Sequence, residues 1–216
     1  MSRSRLTRFR RTVTAFAALA LAAGGLLATG TPASAALPVT IAASTARTYL
    51  SELTVADESH ASTYERSLFP TWITISGTCD TRETIIERDG TGVVTNSACT
   101  ATSGKWTSPY DGVTTTDAST FDIDHLVPLS EAWDSGAWAW TTAQRQAYAN
   151  DVTRPQLLAV SASSNRSKGD DDPAEWLPQT SYQCTYARAW VQVKHYYGLT
   201  VDSAEKSALY GVLDNC

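Results

Sequence analysis

After residue 29 the chain has no long apolar run, which excludes a membrane-spanning body. It is also short of basic charge. Arg3, Arg5, Arg8, Arg10 and Arg11 fall in the first 35 residues beside no acid. Without them the 17 Lys and Arg become 12 against 22 Asp and Glu, a net of −10. That balance excludes a generally basic nucleic-acid coat protein and leaves a local basic site open. Histidine is scarce, with three residues, too few for the ordinary ligand set of a zinc peptidase. The four cysteines show no Cys-x-x-Cys spacing, which counts against structural zinc. No internal repeat is visible. What is present suffices for a core: 43% hydrophobic residues, nine Tyr and seven Trp exclude wholesale disorder.

The first 35 residues read as an address. A positive stretch from Arg3 to Arg11 precedes an Ala- and Leu-rich segment from Thr12 to Gly30, and Ala33-Ser34-Ala35 has the small-residue cleavage pattern. This predicts a secretory signal peptide cut after Ala35, leaving residues 36–216 as one extracellular domain with no stable membrane association. A membrane anchor is the alternative, and Gly24, Gly25 and Gly30 interrupt it. The Arg10-Arg11 pair fits a twin-arginine signal poorly.

Export makes disulfides the expected fate of Cys79, Cys99, Cys184 and Cys216, which allow three pairings. Residues 79–88 and 93–99 read as strands around Asp89-Gly90-Thr91-Gly92, a hairpin that sets Cys79 opposite Cys99. Residues 182–197 and 203–215 read as helices; Tyr186, Trp190, Val193 and Tyr197 share one stripe, and Asp202 to Glu205 forms a capping-box pattern. An antiparallel helix pair brings Cys184 level with Cys216. The expected bridges are 79–99 and 184–216, each contributing roughly 3 to 4 kcal/mol in the loop-entropy model.

Elsewhere, residues 40–66 and 131–150 read as helical, and 101–120 as a Thr-, Ser- and Gly-rich loop. Residues 121–129 begin as a strand, Leu157 to Val160 forms a buried one, and Ser161 or Ser163 caps a helix carrying Asn165 and Lys168. Trp133, Trp138, Trp140, Trp176 and Trp190 read as core, and Tyr110-Asp111-Gly112 as a turn.

His60 and His195 read as ordinary surface or packed residues. His125 differs, because Asp124 adjoins it and Asp122 lies two residues earlier. Asp122 and Asp124 share one face of an extended segment, where two acids repel unless something neutralises them. One divalent cation, Mg²⁺ or Mn²⁺, suits hard oxygen ligands of this kind. An imidazole beside it, with an ordinary pKa of about 6.5, can accept a proton from water.

The runs DIDHLVPLSEAW (122–133), AND (149–151) and NRSKGD (165–170) resemble the HNH endonucleases, also called His-Me finger or ββα-metal nucleases. With CDTRE, YDG, DDDPAEWLP and the last two cysteines, the stretch from Cys79 to Cys216 resembles the small secreted bacterial branch of that family. The third motif position is Asn165 rather than His, which keeps a metal-binding oxygen. The resemblance implies an α+β fold. It has a ββα-metal core over about 121–178 with a helical insertion, preceded by an N-terminal helix and β-hairpin and followed by a disulfide-linked helix pair. It implies His125 as the general base and Asp124 and Asn165 as holders of one divalent metal. Asn150 would keep the loop, and so His125, in register without touching substrate; Asp151 is the alternative for that role.

Lys168, Arg166 and Arg154 are the densest basic group near the motif and the expected phosphate contacts. Arg82 could reach the site; Asp122 and Glu175 are outer metal partners or structural acids. The expected function is a secreted, metal-dependent endonuclease of low sequence specificity. Its substrate is DNA, with RNA the alternative, and it acts as a monomer. Non-catalytic binding of extracellular nucleic acid or wall polymer is the rival reading, and a cell-wall amidase a third.

Overall fold

The computed structural model describes Met1 and residues 38–216, so the expected leader over residues 1–35 lies, Met1 apart, outside the described residues. The described residues 38–216 fall within one compact unit.

The first helix, α1 (Ala43–Glu52), buries Ala46 and Leu50. It is shorter than the expected 40–66. Leu53 turns extended, Val55 bridges to Val201, and the acidic stretch beyond resolves into two short 3₁₀ turns. Strands β1 (Thr74–Ser76) and β2 (Cys79–Asp80) pair antiparallel and lead into α2 (Thr81–Asp89). The expectation of a strand over 79–88 is thereby corrected. Asp80 accepts from the Glu83 backbone at 2.8 Å while the Glu83 carboxylate accepts from the Asp80 backbone at 3.0 Å. This reciprocal cap outweighs the β-branched run that follows it.

The hairpin lies one step further on, between β3 (Thr91–Thr95) and β4 (Ala101–Thr107), with β5 (Thr114–Thr115) on the far edge of β4. Part of the expected 101–120 loop is therefore strand, since threonine suits a pleated surface. Cys79 still reaches Cys99, and Cys184 reaches Cys216, so both expected disulfides are present. The first is formed by β2 and the turn after β3 rather than by paired strands of one hairpin.

Strand β6 (Phe121–His125) carries the motif. The expected 131–150 helix is divided into α3 (Leu129–Asp134) and α4 (Thr142–Ala149), because Gly136 takes φ 134° and Thr141 caps a new start with Gln144. Strand β7 (Leu157–Ser161) then pairs antiparallel with β6, from Phe121 opposite Ser161 to His125 opposite Leu157. Helix α5 (Ala162–Lys168) follows at once, capped by Ser161. The long α6 (Thr180–Tyr197) and α7 (Ser203–Leu213) complete the chain; no helix among the described residues is long and apolar enough to cross a membrane.

Two hydrophobic clusters hold these elements. The larger joins α1, α3, α4, α6 and α7 around Leu50, Phe69, Tyr148, Tyr186 and Trp190. The smaller lies between α2 and the β6–β7 pair and contains Ile85, Ile86, Trp106, Phe121, Ile123, Leu157 and Ala159. Trp133 and Trp190 are buried and Trp140 and Trp176 partly so, as expected of core residues. Trp138 is 44% exposed and stacks on His60 instead.

Helix α2 also seals both outer edges of the two-stranded sheet. Alternate residues of paired strands turn their backbone groups outward. Arg82 donates to the Phe121 carbonyl of β6, and Arg88 to the Leu157 carbonyl of β7. Asp89 accepts from the Ala159 backbone N–H at 2.8 Å. The strand pair that carries the motif is thus clamped from one face by α2 and covered on the other by α5.

Candidate active site

Strand alternation separates the motif residues. Asp122 and Asp124 face α5, whereas Ile123 and His125 face the other way. One turn of α5 then presents Asn165 and Lys168 to the two acids. The Asn165 amide donates to Asp122 Oδ2 at 3.2 Å, and Lys168 Nζ lies 2.9 Å from Asp124 Oδ1 and 3.0 Å from the His125 carbonyl. The other Asp124 oxygen accepts from the Tyr110 hydroxyl at 2.6 Å. Burial pushes the Asp124 carboxyl upward, against the pull of Lys168 and Tyr110.

His125 is held just as closely. Its Nε2 lies 2.9 Å from the Ala149 carbonyl, and its ring stacks on Trp72 with 5.3 Å between centroids. A carbonyl only accepts, so Nε2 carries the hydrogen and Nδ1 the lone pair. Burial lowers the imidazole pKa to about 3, which leaves that lone pair free at neutral pH.

Asp124, His125 and Asn165 all line one cavity of about 170 Å³, together with Arg66, Ile123, Asp170 and the start of α3. That volume admits a phosphate group and several waters. Asn165 commits its nitrogen to Asp122, so its amide oxygen is available to a ligand. The two Asp124 oxygens each accept one internal hydrogen bond and each retain a lone pair. A carboxylate and an amide oxygen on one cavity wall form a hard donor set suited to Mg²⁺ or Mn²⁺. A separate acidic group lies elsewhere: one carboxylate oxygen each of Glu58, Asp172 and Asp202 falls within 4.8 Å of the others.

The remaining expected site residues are dispersed. Asn150 lies outside the cavity lining. Its oxygen accepts from the Thr81 hydroxyl and the Ile73 backbone, and its nitrogen donates to the Pro70 and Gln146 carbonyls. It adjoins Ala149, whose carbonyl orients His125. Asp151 caps the next turn and accepts from Arg154 and Tyr197.

The expected basic group does not assemble. Lys168 has no exposed surface, and its ammonium faces Asp124 rather than solvent, so it cannot meet a phosphate directly. Arg154 pairs with Asp151 and lies over the Tyr196 ring at 3.2 Å. Arg166 is exposed but does not line the cavity, and the same holds for Glu175. His195 stacks on Tyr49 and bonds Glu52, far from any role with the motif. Sequence reasoning missed Arg66, the cation that does line the cavity, and Trp72 and Tyr110, which hold His125 and Asp124. Tyr110 carried a signal, since YDG belonged to the resemblance while its local reading was a turn. Arg66 and Trp72 carried none.

A strand–insertion–strand–helix unit with Asp-His at one strand end and Asn on the helix defines a nuclease-like domain of HNH type. Residues 81–212, more than half the chain, match the family model of the C-terminal domain of GmrSD restriction endonucleases, and the chain belongs to that family. It is 56% identical over 188 residues to a protein of the fungus Arthroderma benhamiae named as an uncharacterized secreted protein, covering 86% of this chain and 92% of that one. The likeness therefore extends beyond the bacterial branch expected from the motifs. No solved structure matches the chain.

Proposed function

We propose that this chain is a secreted, metal-dependent endonuclease that hydrolyses phosphodiester bonds of DNA with little sequence preference. The observation that carries the reading is the convergence of Asp124, His125 and Asn165 on one cavity, with the basic nitrogen of His125 defined by its bond to Ala149. Family membership supports the same chemistry. The secreted fungal relative supports export, with residues 1–35 as the export signal.

His125 Nδ1 would take the proton from an attacking water, as general base. The Ala149 carbonyl and the Trp72 ring hold the imidazole in one tautomer and one plane. Asp124 and Asn165 are the residues that would hold a divalent cation, which when bound stabilises negative charge on the phosphate. Lys168 and Tyr110 keep the Asp124 carboxylate aimed at that wall. Arg66, exposed on the cavity rim, would bind a phosphate oxygen. Asn150 would act as a positioning residue, by fixing the backbone beside Ala149.

The test is plasmid nicking by the secreted, oxidised protein with Mg²⁺, with Mn²⁺ and with EDTA, beside His125→Ala. Cleavage that needs both the metal and His125 is expected. Wild-type cleavage by the variant overturns the role of His125; binding without cleavage in every lane overturns the enzyme in favour of a binding module.

A further inference from the structure

A second and larger cavity, about 470 Å³, opens between the N-terminal end of α2, β4 and the 3₁₀ turn before β6. Its volume lies within the ordinary range of small-molecule sites. Ile86 and the Trp106 ring form an apolar floor, and the Trp106 N–H is taken by the Ile86 carbonyl at 2.7 Å. Ser103 and Ser119 stand exposed on its rim. Three carboxylates also line it, and each is engaged. Asp80 and Glu83 cap the helix reciprocally, and Asp117 accepts from the Ser119 backbone and hydroxyl.

Arg82 stands between this cavity and the His125 cleft. It lines the cavity and donates to the Phe121 carbonyl on the outer edge of β6. Among the described residues its other guanidinium N–H groups have no partner. From Phe121 the strand runs to Asp124 and His125, a distance of about 10 to 13 Å at roughly 3.3 Å per residue. That span corresponds to about three steps of a stacked nucleic-acid strand at 3.4 Å each, and to fewer of an extended one.

We propose that this cavity is a subsite for one unstacked nucleobase of the substrate strand, with Arg82 on the phosphate that links it toward the His125 cleft. The inference rests on the nuclease reading and narrows its substrate to single-stranded or locally opened nucleic acid. Three features choose a base rather than a phosphate for the interior: the apolar floor, the volume, and the three carboxylates. An apolar floor meets the face of any base, so the subsite adds affinity without sequence preference. A base held in a duplex would first have to leave its stack to enter.

The test fills the cavity from its rim. Ser103 makes no contact the cavity depends on, and Ser103→Trp places a large ring over the opening. Steady-state cleavage of a short oligo(dT) is compared with hydrolysis of bis(p-nitrophenyl) phosphate, a diester small enough to need the His125 cleft alone. Losing one base contact should raise KM for oligo(dT) about tenfold in Ser103→Trp. Turnover of the small diester should stay within about twofold, because a blocked base subsite is remote from the cleft. Arg82→Ala should raise the same KM. An unchanged KM for oligo(dT) in the folded Ser103→Trp variant overturns the proposal, as does an equal loss on both substrates. If the wild type nicks plasmid but cleaves neither oligo(dT) nor the small diester, the proposal is overturned; if it nicks nothing, the nuclease reading has failed, and the cavity is judged by fluorescence anisotropy with labelled oligo(dT). About tenfold weaker binding by Ser103→Trp then supports the subsite, and equal binding overturns it.

Discussion

The molecule buries two lysines completely, and they are used differently. Lys194 in α6 lies between Glu131 and Glu205 and also bonds the Thr200 carbonyl at 2.9 Å. Trp190 closes the group from the side through its bond to Glu205. Two carboxylates surround one ammonium within the large core, and the exposed Glu58 carboxyl reaches Glu131 from outside it. Lys168 meets a single carboxylate, Asp124, whose other side faces the His125 cavity. The first arrangement is over-supplied with negative charge. The second balances charge one to one on a wall with room for a further cation. A buried lysine therefore marks a structural lock in one region and the back of a candidate site in the other.

Activity and stability should separate accordingly. His125→Ala should lower plasmid nicking by roughly 10²- to 10⁴-fold, the ordinary worth of a positioned general base, in a protein that stays folded by circular dichroism. Lys194→Met should do the reverse. It leaves Glu131 and Glu205 buried without their cation, at a cost of about 3 to 5 kcal/mol read by urea denaturation. Nicking per folded molecule should be retained. A variant of Lys194 that is fully stable would break the distinction.

Lys168→Met sharpens it. This variant also strands a carboxylate, but one that borders a cavity, so the loss should be smaller than for Lys194→Met. Mg²⁺ should raise the thermal midpoint of Lys168→Met more than that of Lys194→Met, in which Asp124 keeps its ammonium, and EDTA should remove the gain. An equal gain in both variants, or a gain in neither, would mean that removing Lys168 leaves Asp124 no more open to a cation.

The Lys194 group also predicts a pH dependence. Burial raises the Glu205 carboxyl to about 7, with Lys194 opposing, against an unfolded value of 4.5. The folded state then holds this proton more tightly than the unfolded one. The associated stability is fully present below about pH 4.5 and is lost as pH rises through about 7. Denaturation midpoints of wild type and Glu205→Gln should therefore diverge between pH 5 and pH 8, the wild type losing ground. Parallel curves would exclude Glu205 as the titrating group.

The same contrast bears on what could be read from sequence. The ββα unit was legible because each part carries a local signal: alternation through Phe121 to His125, the apolar run Leu157 to Val160, and the Ser161 cap. Helix α2 was misread, because Thr84, Ile85 and Ile86 suggest a strand while the decisive cap lies at Asp80 and Glu83. The burial of Lys168 was legible and overlooked, since Asn165 and Lys168 are three residues apart and share a helix face, whereas Arg166 turns away. Arg66 and Trp72 could not have been found. They come from a segment of irregular structure, and only the tertiary fold carries them to His125.

Arg66 and Arg154 give the finest distinction. Both are cations outside the helical core, yet Arg66 lines the cavity while Arg154 is committed to Asp151 and Tyr196. Arg66→Ala should raise KM for single-stranded DNA about tenfold, the worth of one charge-assisted hydrogen bond of roughly 1.5 kcal/mol. The effect should shrink at high salt, because Arg66 is exposed and screened. Arg154→Ala should leave KM within about twofold, since an internally paired guanidinium has little left to offer a phosphate. A larger effect at Arg154 than at Arg66 would move the phosphate path away from the cavity rim and toward the Tyr196 face.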